Sequence, residues 1–219
     1  MPLVKLVDVN NKMLKIETIT VGGFAMNSYL LYDDDSKNAV LIDPGMEAKR
    51  LINRVEELNL SLKYIINTHA HIDHIAEAGV VQEHFDVDFY LHCEEQPLVD
   101  AIPEQANMFG IPTGPIPEIT KYVEDGDEIQ LGEFRATILH TPGHSPGSVS
   151  IKGGEEIFVG DCLFMDSIGR TDLYKGNYEQ LLESIRSKLL VLPESTKVYS
   201  GHGPATTIGR EKEHNPFLQ

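Results

Sequence analysis

The sequence predicts an α/β fold, and three observations predict it. Short β-branched and apolar runs alternate with amphipathic stretches of helical period in both halves of the chain. Strand-rich stretches lie between these units. No low-complexity linker and no repeat divides the 219 residues, so one domain over residues 13–219 is expected. A four-layer αββα sandwich, two sheets face to face with helices outside, fits this order, although periodicity by itself supports only mixed α and β.

Residues 1–12 form a leader with little apolar periodicity, which an edge strand, a tail or an addition ahead of Met13 would each explain. Strands are expected over residues 14–21, 27–32 and 39–42, the last running into Asp43-Pro44-Gly45. Residues 47–58 carry Leu51, Ile52, Val55 and Leu58 at helical spacing. A short apolar strand at 62–67 leads directly into His69-Ala70-His71-Ile72-Asp73-His74. A helix at 75–85 and a strand at 88–92 follow. The proline-rich stretch 97–117 predicts a surface loop or broken helix of the type that often borders an active site. Strands at 134–139, 148–151 and 156–159 come next. A helix at 178–190, with Leu181, Leu182, Ile185 and Leu189 on one face, precedes a last strand at 197–200 that ends in Gly201-His202-Gly203.

Charge and cysteine usage narrow the function. Acidic residues outnumber basic ones 34 to 18, a net charge of −16 that opposes binding to nucleic-acid phosphates or anionic membrane surfaces. No apolar run reaches the length of a membrane span, and the first ten residues lack the pattern of a signal peptide, so a cytoplasmic location is expected. Cys93 and Cys162 are far apart and form no CxxC pair, so any metal must be held by nitrogen and oxygen.

Four segments, each where a predicted strand stops, supply such ligands. His69, His71, Asp73 and His74 place four candidates within six residues after an apolar strand. Clustered imidazoles and an unpaired carboxylate are costly to bury together, and a divalent cation removes both problems. His144 sits in a turn forced by the Pro-Gly pairs of His140-Thr-Pro-Gly-His144-Ser-Pro-Gly147. Asp161 ends the run Phe158-Val-Gly-Asp161, and His202 lies between glycines that permit close backbone approach. Singly, these three are equally a turn residue, a cap and a core histidine. At successive strand ends of one sandwich they converge on one edge.

The order HxHxDH, TPGH, GD, GHG resembles the metallo-β-lactamase superfamily, and within it the short, single-domain glyoxalase II-like (hydroxyacylglutathione hydrolase-like) branch, which shares the Gly169-Arg170-Thr171-Asp172 run. The resemblance covers nearly everything from Met13 onward. It implies the metallo-β-lactamase fold and two divalent metal ions, zinc first, with iron or manganese also suited. One metal falls to His69, His71 and His144; the other to Asp73, His74 and His202; Asp161 bridges them. Asp73 and Asp161 are the carboxylates expected at the reacting centre. Only residues 204–219 follow the last motif, where two-domain relatives carry a helical domain that helps hold glutathione, so the thiol is left open.

Such a centre implies hydrolysis of a small-molecule thioester by a metal-bound hydroxide. The alternatives on the same fold are a mononuclear-iron persulfide dioxygenase and a lactonase. Asp43 suits either an outer partner of a ligand histidine or a cap. Arg170, Tyr174 and Lys175, on the segment after Asp161, are candidates to hold an anionic substrate tail, with an Arg170–Asp172 ion pair as the competing reading. His140 is a candidate outer partner, while His84, His92 and His214 are expected to be structural.

Overall fold

In a computed structural model that describes residues 3–9, 12–131 and 134–219, the alternating runs pair into two sheets. The first holds β1 (Leu3–Val9), β2 (Lys12–Val21), β3 (Met26–Asp33), β4 (Asn38–Ile42), β5 (Ser61–Ile66), β6 (Asp88–Leu91) and β7 (Lys121–Tyr122) in that order. It is antiparallel as far as β4 and parallel from there. Parallel neighbours need long crossovers. Helix α1 (Ala48–Glu57) links β4 to β5, α2 (Ile72–Ile75) and α3 (Ala78–Phe85) link β5 to β6, and α4 (Gln96–Asp100) and α5 (Ile102–Phe109) link β6 to β7.

The second half of the chain supplies β8 (Glu128–Leu131), β9 (Phe134–His140), β10 (Val149–Gly153) and β11 (Glu156–Gly160), a small hairpin of β12 (Leu163–Phe164) and β13 (Ser167–Ile168), then α6 (Tyr178–Ser184), β14 (Lys197–Ser200), β15 (Thr206–Thr207) and α7 (Ile208–His214). The second sheet has the order β15-β14-β11-β10-β9-β8, with only β11 and β14 parallel.

The period of two in the strands sorts side chains into three apolar layers. Tyr29, Leu31, Val40, Ile42, Tyr64 and Ile66 meet Ile138, Ile151, Phe158 and Tyr199 between the sheets. The alternate residues Leu30, Leu41 and Ile65 face Leu51, Val55 and Val81 of the first helical layer. Ile157, Val159 and Val198 face Leu181, Ile185 and Ile208 of the second. The molecule is therefore a four-layer αββα sandwich.

Strand direction decides where chemistry can gather. β4 and β5 run in parallel, as do β11 and β14, and β9 shares the direction of β11 across two antiparallel steps. The C-terminal ends of these five strands share one edge of the sandwich. Cross-sheet bonds close that edge: the amide of Asn27 donates to Gly201 (2.7 Å), the amide of Val149 donates to Thr68 (2.9 Å), and the Tyr29 hydroxyl donates to the Ser200 carbonyl (2.5 Å).

Several elements differ from expectation for identifiable reasons. Of the leader, residues 1, 2, 10 and 11 lie outside the described residues, while Leu3–Val9 pairs with β2 as an edge strand. Pro97 and Pro103 occupy the first turns of α4 and α5, where the missing amide hydrogen costs nothing, so prolines open helices here. The helix expected at 178–190 stops as α-helix at Ser184 and continues as a π turn over Ile185–Leu189. Among the described residues no helix is long and apolar enough to cross a membrane.

Candidate metal centre

The segment after β5 is held rigid from beneath. Buried Asn67 donates through Nδ2 to the carbonyls of His69 (3.3 Å) and His74 (2.7 Å), folding the HxHxDH run back on itself. The Ala70 amide donates to Oε2 of Glu95 at 2.7 Å. Oε1 of the same carboxylate accepts from Ser145 Oγ (2.8 Å) and the Gly147 amide (2.7 Å), so Glu95 ties the turn that carries His69 and His71 to the turn that carries His144. Glycine is required at 201. A Cβ there would lie 2.2 Å from Oδ1 of Asp161 and 2.6 Å from Cε1 of His74.

All seven expected groups come together. Nε2 of His144 lies 2.8 Å from Nδ1 of His71 and 3.2 Å from Nε2 of His69. Nε2 of His202 lies 3.1 Å from Oδ2 of Asp73. Asp161 stands between the two groups: Oδ1 is 3.4 Å from Nε2 of His74, and Oδ2 is 3.6 Å from Nε2 of both His144 and His202.

Outer contacts fix which way the imidazole lone pairs point. Nδ1 of His74 donates to Oδ2 of Asp43 (3.0 Å), Nδ1 of His144 to the Arg170 carbonyl (2.8 Å), and Nδ1 of His202 to the Phe24 carbonyl (3.0 Å). The Thr68 hydroxyl donates to Oδ2 of Asp43 (2.7 Å) and therefore accepts from Nδ1 of His69 (3.0 Å). Four rings thus carry their outer proton on a protein acceptor and aim the Nε2 lone pair inward. Bare lone pairs of His69 and His144 facing each other at 3.2 Å repel unless a cation stands between them. His71 turns Nδ1 towards this group, and Nε2 of His74 and Oδ1 of Asp161 are buried without a hydrogen-bond partner among the described residues. Orphaned inward donors of nitrogen and carboxylate oxygen are the set a divalent metal takes, so the residues fit a metal pair.

Charge divides the centre in the same way. Burial and the neighbouring imidazoles hold His69 well below the usual histidine range, and burial with His144 pushes His71 down to about 3. Burial also acts against charge on His74, but Asp161 and Asp73 outweigh it and raise that ring. Burial opposes the charge of Asp161 too, yet the histidines around it, His74 first, hold it well below the carboxylate range. One lobe therefore presents neutral imidazoles, and the other a carboxylate pair that demands positive charge.

A cavity of about 380 Å³ opens above this floor, with His71, Asp73, His144, Asp161 and His202 on its lining. Arg170 and Tyr174 line it as well. Arg170 is engaged, however, its guanidinium donating from Nε and Nη2 to Asp172 at 2.7 and 2.8 Å. Lys175 is not among the lining residues; its ammonium lies 5.5 Å over the Tyr174 ring. His140 donates from Nε2 to the Pro146 carbonyl (3.0 Å) and stacks on His92 at 4.2 Å, bracing the His144 turn without joining the seven. His84 meets Glu56 at 2.9 Å and His214 meets Glu213 at 3.6 Å, both on the surface. Sequence reasoning missed Glu95, Thr68 and Asn67, which hold the ligand turns, and Phe24, which takes the outer proton of His202. None lies in a motif, and Glu95 sits in a polar run whose burial only the fold reveals.

A sandwich with paired histidine and carboxylate lobes at one edge is the frame of a metal-dependent hydrolase. The sequence profile of the metallo-beta-lactamase superfamily matches residues 21–202, and the chain belongs to that superfamily. It is 44% identical over 210 residues to hydroxyacylglutathione hydrolase GloC of Haemophilus influenzae, covering 94% of this chain and 98% of that one. Among solved structures it is similar to the BLEG-1 B3 metallo-beta-lactamase (42% identity, TM-score 0.87, covering 93% and 99% of the two chains). It is also similar to TTHA1623 in a di-iron-bound form (37% identity, TM-score 0.83, 92% and 99%).

Proposed function

We propose that the protein is a two-metal hydrolase of thioesters. His69, His71 and His144 would hold one cation and Asp73, His74 and His202 the other, with one oxygen of Asp161 offered to each. The observation that carries this reading is the inward lone pair on four outward-anchored imidazoles, set around a carboxylate 3.4 to 3.6 Å from three of the five rings. The di-iron form of TTHA1623 supports a centre of two metals, and the name of the Haemophilus relative supports a thioester substrate.

When bound, two such cations, zinc first with iron or manganese also suited to the donors, would polarise a carbonyl and bring the pKa of a water towards neutrality. The chain's own groups do the rest. Asp73 and Asp161 line the cavity floor, where Asp73 orients the attacking water and takes its proton. Water adds across the C–S bond, giving a carboxylate, a thiol and one released proton. A thiolate leaves readily, so little acid catalysis is needed. Neither nearby side-chain nucleophile competes: Ser145 Oγ is bound to Glu95 and Ser148, and burial pushes the Cys162 thiol up to about 12. Tyr174 and Arg170 line the cavity that would receive the substrate. Two free cysteines suit a reducing cytoplasm as its setting.

Metal analysis coupled to a panel of thioester, lactone, β-lactam and persulfide substrates tests the proposal. Two metals per chain with thioester turnover is the expected result. One metal per chain with oxygen uptake on a persulfide would overturn it. The likeness to a B3 metallo-beta-lactamase makes β-lactam turnover the arm to compare first.

A further inference from the structure

Exposed large apolar side chains cluster at one place on this protein. Of the nine among the described residues, Phe24, Met108, Phe109 and Tyr174 all line the one cavity above the metal centre. Met108 is 77% exposed at the end of α5. The Phe24 and Phe109 rings stand edge to face across the mouth, with centroids 6.3 Å apart. Leu98 and Leu173 complete an apolar wall. Histidines aside, the sole cation on that lining among the described residues is Arg170, held by Asp172. A contiguous exposed apolar patch continuous with a reactive floor marks a ligand surface.

We propose that this wall is the specificity pocket, and that it takes thioesters carrying an uncharged, apolar chain or ring in preference to anionic glutathione thioesters. The proposal rests on the thioesterase reading above and adds the substrate class. About 380 Å³ accommodates about a dozen non-hydrogen atoms at roughly 30 Å³ each, the size of a medium acyl chain or a phenyl group with its linker. Phe24 links recognition to the centre, because its carbonyl takes the outer proton of His202 while its ring forms the rim.

The test compares kcat/KM for S-acetyl, S-hexanoyl and S-phenylacetyl esters of N-acetylcysteamine, a neutral thiol, with S-lactoylglutathione, using metal-loaded protein. The hexanoyl-to-acetyl ratio should be at least about tenfold, since each methylene in an apolar pocket discriminates strongly. Phe109→Ala should bring that ratio close to one, and Phe109→Leu should restore most of it. A ratio near one in the wild type, or S-lactoylglutathione as the best substrate, would overturn the pocket while leaving the thioesterase intact. Calorimetric binding of the unreactive S-hexyl and S-methyl thioethers of N-acetylcysteamine reads the pocket without hydrolysis. If no thioester turns over but the hexyl compound binds at least about tenfold tighter, the reaction is misassigned and the pocket stands. Equal binding of the two would sink it.

Discussion

Oδ2 of Asp43 accepts the Nδ1 proton of His74 at 3.0 Å, with both side chains buried and the aspartate backbone at φ 50°. Oδ1 of the same carboxylate takes the Thr68 amide at 2.6 Å. One residue thus sets the tautomer of a candidate ligand and fixes the start of the segment that carries three more.

Asp43→Asn should therefore separate fold from metal affinity. Asparagine tolerates the left-handed backbone and keeps an oxygen for the Thr68 amide. Its NH2 would then face Nδ1 of His74, forcing the ring proton to Nε2, which points at the centre. The expected outcome is a folded protein whose metal affinity drops about 10- to 100-fold. Circular dichroism with metal titration checks it; unchanged affinity would make Asp43 a cap.

Asp161→Ala should lose both metals and activity together. Oδ1 reaches His74 of one lobe, Oδ2 reaches His144 of the other as well as His202, and among the described residues no second carboxylate spans the lobes. Elemental analysis of the purified variant is the measurement. A variant that keeps two metals per chain would remove Asp161 from the bridging position.

Glu95→Ala should destabilise the fold as well as the site. The amides of Ala70 and Gly147 would be left buried without their acceptor, and the Ser145 hydroxyl would keep only Ser148. At roughly 1–3 kcal/mol for a buried unsatisfied group, with partial relaxation, a loss of about 3 kcal/mol is expected from denaturant unfolding. A loss under about 1 kcal/mol would mean that water replaces the carboxylate.

What was legible in the sequence follows from the range of the signals. The short apolar runs of β3, β4, β5 and β11 are local signals, and they announce strands within a mixed α and β fold, while the pairing into two sheets with three apolar layers is set by contacts between distant segments. The candidate ligands were legible because a run such as His69 to His74 has no economical buried use without a cation. The outer partners were not, since Glu95 meets Ser145 across 50 residues and Phe24 meets His202 across 178. Short edge strands such as β7 and β15, two residues each, are created by their neighbours and carry no period of their own. The π turn at Ile185–Leu189 is invisible for a related reason, because its apolar residues satisfy helical spacing equally well.

Gly201 offers the sharpest test that the edge of the sandwich is built around the metals. Its amide donates to the Gly160 carbonyl at 2.7 Å and its carbonyl accepts from Asn27, so the backbone cannot retreat without breaking the tie between the sheets. The added methyl of Gly201→Ala would instead press on side-chain atoms, Oδ1 of Asp161 at 2.2 Å and Cε1 of His74 at 2.6 Å. Those groups can yield only by leaving the geometry that suits them as ligands in the proposed centre. Overpacking of this kind costs about 1–3 kcal/mol, and the larger effect should fall on metal binding. Gly154→Ala is the control: φ is 56° and no atom lies within 4 Å of the new methyl, so the penalty is about 1–2 kcal/mol of backbone strain, in the turn between β10 and β11. Thermal melts with and without a chelator distinguish the two. The Gly154 variant should melt lower than wild type by a similar margin with and without metal. The Gly201 variant should lose most of the stabilisation that metal confers. If metal stabilises the Gly201 variant as strongly as the wild type, the tight packing at this glycine serves the sheets and not the centre.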